Sequence, residues 1–222
     1  MTEIDLCNNA LSMIGQGTHI STLTENKKEA DACKRLLPVT VARCLDKFNW
    51  SFARRDEVIT SDFLLPDALC LPWKYVYKIP DDVMRLLYAV PMEASSASES
   101  IGYQGQIRFN VRNYKGQKVI ATDNEAPFII QYQADISDIS IFPPTFCEGV
   151  EAALASALAA DLIKGIEGVK VSQAMAQIAF QNLEHASALD AQQGAQSILP
   201  VEEDRLVASR HGGFTGYRGW GK

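Results

Sequence analysis

Between Asn49 and Pro143 the chain abandons helical periodicity. On either side of that interval apolar residues recur at spacings of three and four. Inside it, short β-branched and aromatic runs are punctuated by Pro66, Pro72, Pro80 and Pro91. A helix-period pattern does not settle as a strand, nor the reverse. The two periods therefore predict an α+β protein: a discontinuous helical bundle built from the N- and C-terminal helices, with an antiparallel β region inserted and an extended tail at the C-terminus. The boundaries follow the period changes: 1–49 with 144–195 as the helical domain, 50–143 as the β-rich insertion, and 196–222 as a flexible tail.

Ile4, Leu6, Cys7, Ala10, Leu11 and Ile14 form the apolar stripe of a first helix, which Gly15 and Gly17 end. A second helix is expected from about Lys27 to Phe48, started by a capping box of Asn26 and Glu29. Ala30, Cys33, Leu37, Val41, Cys44, Leu45 and Phe48 form its buried face, and Pro38 predicts a kink. After Pro143-Pro144, an alanine-rich helix over Thr145–Lys164 implies close helix approach, with Gly165 and Gly168 interrupting it. A last helix is expected over Val169–Gln193, packing through Val171, Ala174, Met175, Ile178, Phe180, Leu183 and Leu189.

In the interval, Lys74–Ile79, Met84–Val90, Gln106–Val111, Gln117–Ala121 and Phe128–Gln133 read as strands. Tyr114-Lys115-Gly116-Gln117 reads as a hairpin turn. Glu93–Ser100 has little to bury and reads as a mobile loop tip. With no helices between the strands, the sheet is expected to be antiparallel.

Charge and cysteine usage narrow the function classes. The net charge is −6 over 222 residues, where a general nucleic-acid binder carries a basic excess. No apolar run reaches the roughly 18 residues of a membrane span. The acidic start, Met-Thr-Glu-Ile-Asp, does not read as a signal peptide, so the chain is expected to be made in a cytosol. Cys7, Cys33, Cys44, Cys70 and Cys147 show no C-x-x-C spacing and read as reduced core thiols. His19, His185 and His211 stand in no metal-ligand pattern, Gly15-Gln16-Gly17 reads as a helix stop, and no G-x-S-x-G occurs. The pairs Asp81-Asp82, Asp123 with Glu125 and Asp135 with Asp138, and the run Glu202-Glu203-Asp204, read as solvated turn carboxylates. The expectation is no catalytic residue, no cofactor and no metal.

The last segment differs in kind. From Arg205 to Lys222 there is no acidic residue, and Phe214, Tyr217 and Trp220 recur every three positions among five glycines. Glycine at that density forbids a stable helix. It is either a disordered end or, the reading preferred here, a tail that orders on a partner through aromatic and arginine anchors. Arg54-Arg55 reads first as a surface pair beside a strand, and second as a site for phosphate or an acidic neighbour.

A pattern runs through these pieces: Asn8-Asn9-Ala10-Leu11-Ser12-Met13-Ile14-Gly15, Ile20-Ser21-Thr22-Leu23, Glu29-Ala30, and Trp50-Ser51-Phe52-Ala53-Arg54-Arg55. It continues with Trp73-Lys74-Tyr75, Ile79-Pro80-Asp81-Asp82 and Pro143-Pro144-Thr145-Phe146 before the alanine-rich helix pair. In this order the chain resembles the tail tubular protein A family, the head-to-tail adaptor (gatekeeper) proteins of tailed bacteriophages, over residues 4–195. The resemblance implies a virion neck protein made in the host cytoplasm, with no catalysis and no membrane. It would form a homo-oligomeric ring, usually twelvefold, between the portal protein and a downstream tail or nozzle protein. Genomic DNA would pass through the ring without sequence-specific binding.

Within that expectation Arg205, Arg210, Phe214, Tyr217, Arg218 and Trp220 dock on the portal, Arg54 and Arg55 meet the next subunit, and Trp50 and Phe52 are junction core. The alternative is a soluble enzyme or nucleic-acid-binding module whose site assembles only in three dimensions.

Overall fold

The computed structural model describes residues 1–60, 63–64, 72–92, 106–114 and 116–195. The expected loop tip at Glu93–Ser100, the tail 196–222 and Cys70 lie outside the described residues. The chain is α+β, with helices α1 (Glu3–Met13), α2 (Lys28–Lys47), α3 (Pro144–Leu162) and α4 (Ile166–Ala195) flanking the strands. Those are β1 (Arg54–Ile59), β2 (Phe63–Leu64), β3 (Tyr75–Lys78), β4 (Val83–Pro91), β5 (Phe109–Tyr114), β6 (Gln117–Thr122) and β7 (Phe128–Ala134). They form two antiparallel sheets, ordered β1-β7-β4 and β2-β3-β6-β5.

The capping box forms at α1 and not at α2. Thr2 Oγ1 accepts from the Asp5 N–H at 3.2 Å while Asp5 Oδ2 accepts from the Thr2 N–H at 2.8 Å. Gly15, at φ +74°, closes α1: its N–H reaches Ser12 O at 3.0 Å and the Gln16 N–H reaches Leu11 O at 3.0 Å. These two hydrogen bonds satisfy two end carbonyls. The expected Asn26–Glu29 box is absent because Glu25 organises the turn. Its carboxylate accepts from the Ser21 and Thr22 N–H groups and pairs with Lys27 Nζ at 2.7 Å, leaving Lys27 as the N-cap of α2.

These contacts hold the Glu25 carboxyl down to about 2, the Lys27 bond contributing most, well below the ordinary value of 4.5. A depressed acid stabilises the fold above its unfolded value and loses that contribution as pH falls through its folded one. The link between α1 and α2 should therefore loosen as pH drops from about 4.5 towards 2, a transition that Glu25→Gln removes. Backbone amide shifts of Ser21 and Thr22 across an acid titration measure it.

α2 runs on through Pro38 to Lys47. α3 lies between α4 on one side and α1 with α2 on the other. This position explains its composition: Ala152, Leu154, Ala155, Leu158 and Ala159 are all fully buried, around more than one side of the helix. At Gly149 a Cβ would come within 2.6 Å of Leu183 Cδ2, so the α3–α4 approach needs glycine there.

Gly168 does not interrupt a helix, as expected from sequence, but lies in the first turn of α4, which starts at Ile166 after Gly165 (φ +81°). A Cβ at Gly168 would sit 2.1 Å from Ile163 O. Gly→Ala inside a helix ordinarily stabilises by about 0.8–1 kcal/mol. Gly168→Ala should instead destabilise, because the clash is with backbone, and thermal unfolding of the variant gives the sign. The apolar residues of α4 also divide differently from expectation. Ala179, Leu183 and Ala186 are buried and Val171, Met175 and Leu189 half-buried, whereas Ala174, Ile178 and Phe180 face outward. Helical phase decides this: at about 100° per residue, Ile178 and Phe180 fall on opposite flanks of the stripe made by Ala179, Leu183 and Ala186, and Ala174 falls behind it.

The β5–β6 hairpin turns at Gly116 (φ +84°), with Tyr114 opposite Gln117. One continuous core joins helices and sheets. It runs from Leu6, Cys33 and Leu45 through Trp50 and Tyr132 to Ile130, Phe128 and Ile120. Val76, Val119 and Ala121 form a second small cluster with Trp73 and Tyr114.

Candidate functional site

Arg54 and Arg55 begin β1, whose first five residues are exposed. Facing pairs in an antiparallel sheet share a side, so Arg55, Glu57 and Ile59 stand with Tyr132, Ile130 and Phe128, and Arg54, Asp56 and Val58 with Gln133, Gln131 and Ile129. Arg55 Nη1 reaches Asp82 Oδ2 at 2.7 Å. The Tyr132 hydroxyl lies 3.3 Å from both Asp82 Oδ1 and Glu57 Oε2. Burial, and then these two carboxylates, push the Tyr132 phenol up to about 12. The cluster is a brace: Arg55 neutralises one of two carboxylates around a phenol that stays protonated. Gln131 Nε2 donates to Asp56 at 2.9 Å on the other side. Arg54 is exposed there, and its charge acts on the half-buried Tyr88 phenol, whose pKa burial raises.

A second constellation, centred on Trp50, ties the insertion to the helices. Trp50 is 1% exposed. Its indole N–H donates to Cys44 O at 3.1 Å, and its ring meets Phe146 at 4.8 Å, Phe48 at 5.7 Å and Phe52 at 5.7 Å. Phe142 completes the set, 5.0 Å from Phe146. Next to it Asp190 of α4 accepts from the Ser51 N–H at 2.7 Å and from the Ser51 hydroxyl. A cleft of about 230 Å³ opens here, walled by Trp50, Phe52, Pro143 and Pro144, with Asp190 at its rim. Trp50 is buried and Phe52 half-buried, as junction core requires.

Three polar residues to which the sequence assigned no individual role hold joints of the fold, two of them this one. Arg85 donates to Asp46 O at 2.9 Å, Asp46 Oδ1 at 3.0 Å and Asn49 Oδ1 at 3.3 Å. Gln133, buried in β7, donates its amide to Leu45 O and to Phe48 O, capping the end of α2. Asn8 clamps the α1–α2 link by donating to Ile20 O at 3.0 Å and accepting from the Ile20 N–H at 2.9 Å. Two polar residues in strands and one on a helix face carry no local pattern, so only tertiary placement reveals their roles.

Arg205, Arg210, Phe214, Tyr217, Arg218 and Trp220 lie outside the described residues. Cys7, Cys33, Cys44 and Cys147 are buried free thiols. The hydrogen bond that the Cys7 thiol donates to Cys33, and then burial, raises the Cys7 pKa, and burial pushes Cys44 up to about 11. Thiols so protonated act as core hydrophobes. Among the described residues no group of three or more His, Cys, Asp or Glu side chains could hold a metal ion, and no helix is long and apolar enough to cross a membrane. No protein-family model matches the chain, and no curated protein matches it.

Proposed function

We propose that the chain is a structural head-to-tail adaptor of a tailed bacteriophage, of the kind the tail tubular protein A resemblance implies. Identical copies form a ring between the portal and the tail or nozzle and extend the channel through which genomic DNA leaves. The chain makes and breaks no covalent bond in this role.

One observation carries the reading: the segments that bear the resemblance meet one another as the joints of the fold. Asn8 of the first motif holds Ile20 of the second, and Asn9 reaches Glu151 at 2.8 Å. Trp50 of the W-S-F-A-R-R motif packs on Phe146 of P-P-T-F. Arg55 of that same motif pairs with Asp82 of I-P-D-D. Residues far apart in sequence converge pairwise, as a single framework requires and as unrelated local turns do not.

In this framework Arg55 is committed to bracing its own sheet, so Arg54 is the arginine that reaches the next subunit. The six aromatic and basic residues between Arg205 and Trp220 dock on the portal. A net charge of −6 suits a conduit wall that must not grip a polyanion. The test is addition of the purified chain to DNA-filled heads that lack it. Binding at one vertex, with retention of the packaged DNA, is expected. Failure to bind, or a salt-dependent shift of free DNA by the isolated chain, contradicts the proposal.

A further inference from the structure

The last turns of α4 wall a cleft. Leu189, Asp190 and Gln193 form one side of the opening of about 230 Å³ that Trp50, Phe52, Pro143 and Pro144 close on the other. Leu189 and Phe52 are half-buried and Pro144 is exposed, so carbon surface faces the mouth. Asp190, the one carboxylate of the lining, is already engaged by the Ser51 N–H at 2.7 Å and by the Ser51 hydroxyl. A cavity of this size falls below the roughly 300–1,000 Å³ of small-molecule pockets. Its walls suit a few aliphatic side chains.

The described part of α4 ends at Ala195, two residues past Gln193, so the chain that continues starts at the mouth of the cleft. The first apolar group in that continuation is Ile198-Leu199-Pro200-Val201, set between Gln196-Ser197 and the acidic run Glu202-Glu203-Asp204. Ile198 follows Gln193 by five positions, a reach of at most about 18 Å. The apolar group is therefore held near an apolar cleft by chain continuity alone. Burial of Ile, Leu and Val side chains against such walls is what the hydrophobic effect favours. A segment tethered beside its site is present there at an effective concentration on the order of millimolar, above what a second copy of the chain supplies.

We propose that residues 198–201 fold back from the end of α4 and seat in this cleft of the same chain as a short apolar strap. Pro200 sets Leu199 to extended backbone, the form in which a short segment lies along a groove. The acidic run that follows leads out to solvent. The strap fixes the point from which the tail bearing Arg205 and Trp220 leaves the helical body. It rests on chain continuity and not on the viral reading.

Methyl-labelled NMR of the full chain tests it. Nuclear Overhauser contacts are expected from the Leu199 and Val201 methyl groups to the Phe52 ring and to the Leu189 methyl groups. Leu199→Asp should abolish them and shift the Leu189 resonances. The methyl resonances of Val119 and Ala121, in the small cluster of the other sheet, should stay in place and report an intact fold. A sample mixing labelled with unlabelled copies separates contacts within a chain from contacts between chains. Absence of contacts to the cleft, contacts found only between chains, or Leu189 resonances unmoved by Leu199→Asp overturns the inference.

Discussion

Trp50→Ala is expected to lower the stability of the fold by about 3–5 kcal/mol, the usual range for deleting a fully buried large aromatic. Trp50 stands where the end of α2 gives way to the first strand, and its ring touches Phe48, Phe52 and Phe146. Removing it opens a cavity among those rings and takes from Cys44 O the indole donor it now has. Domains of this size hold together by roughly 5–15 kcal/mol, so a loss of that magnitude consumes much of the margin. Trp50→Phe keeps an aromatic body but not the donor, and should cost about 1–3 kcal/mol, the penalty of an unpaired buried acceptor. Denaturant midpoints measure both. A shift below about 1 kcal/mol for the alanine variant would remove Trp50 from its place as the joint between helices and sheet.

The second large effect belongs to the tail. Deleting Gly212–Lys222 leaves α1–α4 and both sheets complete in sequence, and the unfolding midpoint should not move. Attachment to DNA-filled heads should be abolished, because the deletion removes Phe214, Tyr217, Arg218 and Trp220 together. Aromatic and arginine anchors at the centre of an interface are worth about 2 kcal/mol or more each, roughly thirtyfold in affinity. Alanine at Phe214, Tyr217 and Trp220 alone should therefore approach the effect of the deletion. Normal attachment by the truncated chain, read by co-sedimentation with heads, would place the portal contact elsewhere.

How far the fold was legible in the sequence depends on whether the signal is local. Gly15 stops α1 and Pro144 starts α3 because a positive φ and a missing donor are properties of single residues. Strands β3 to β7 were legible because β-branched runs between turn residues have few other uses, whereas β1, with Arg54, Arg55, Asp56 and Glu57 ahead of Val58, and the two-residue β2 carry no such run. α2 starts within one residue of the expected Lys27, but its cap was misassigned because Glu25, which orders that turn, does so through its side chain. Gly168 was read as a breaker because glycine weakens helices in general. Its actual reason, a carbonyl of Ile163 in the way of any Cβ, needs the tertiary structure.

The outward side of α4 was misread for a related cause: Ala174, Ile178 and Phe180 are apolar, and composition does not say which apolar residues a single neighbour can cover. Of the candidate site, Arg54 and Arg55 were visible as a charged pair. That Arg55 is paired with Asp82 depends on a partner 27 positions away.

The central claim is that copies of this chain join a viral head to its tail. Electron microscopy of intact particles, with the neck isolated and its polypeptides identified by mass, tests it most directly. A closed ring of this polypeptide is expected beneath the portal, its helical bodies in side-by-side contact around the channel. Particles with head and tail joined and this polypeptide missing from the neck would contradict it.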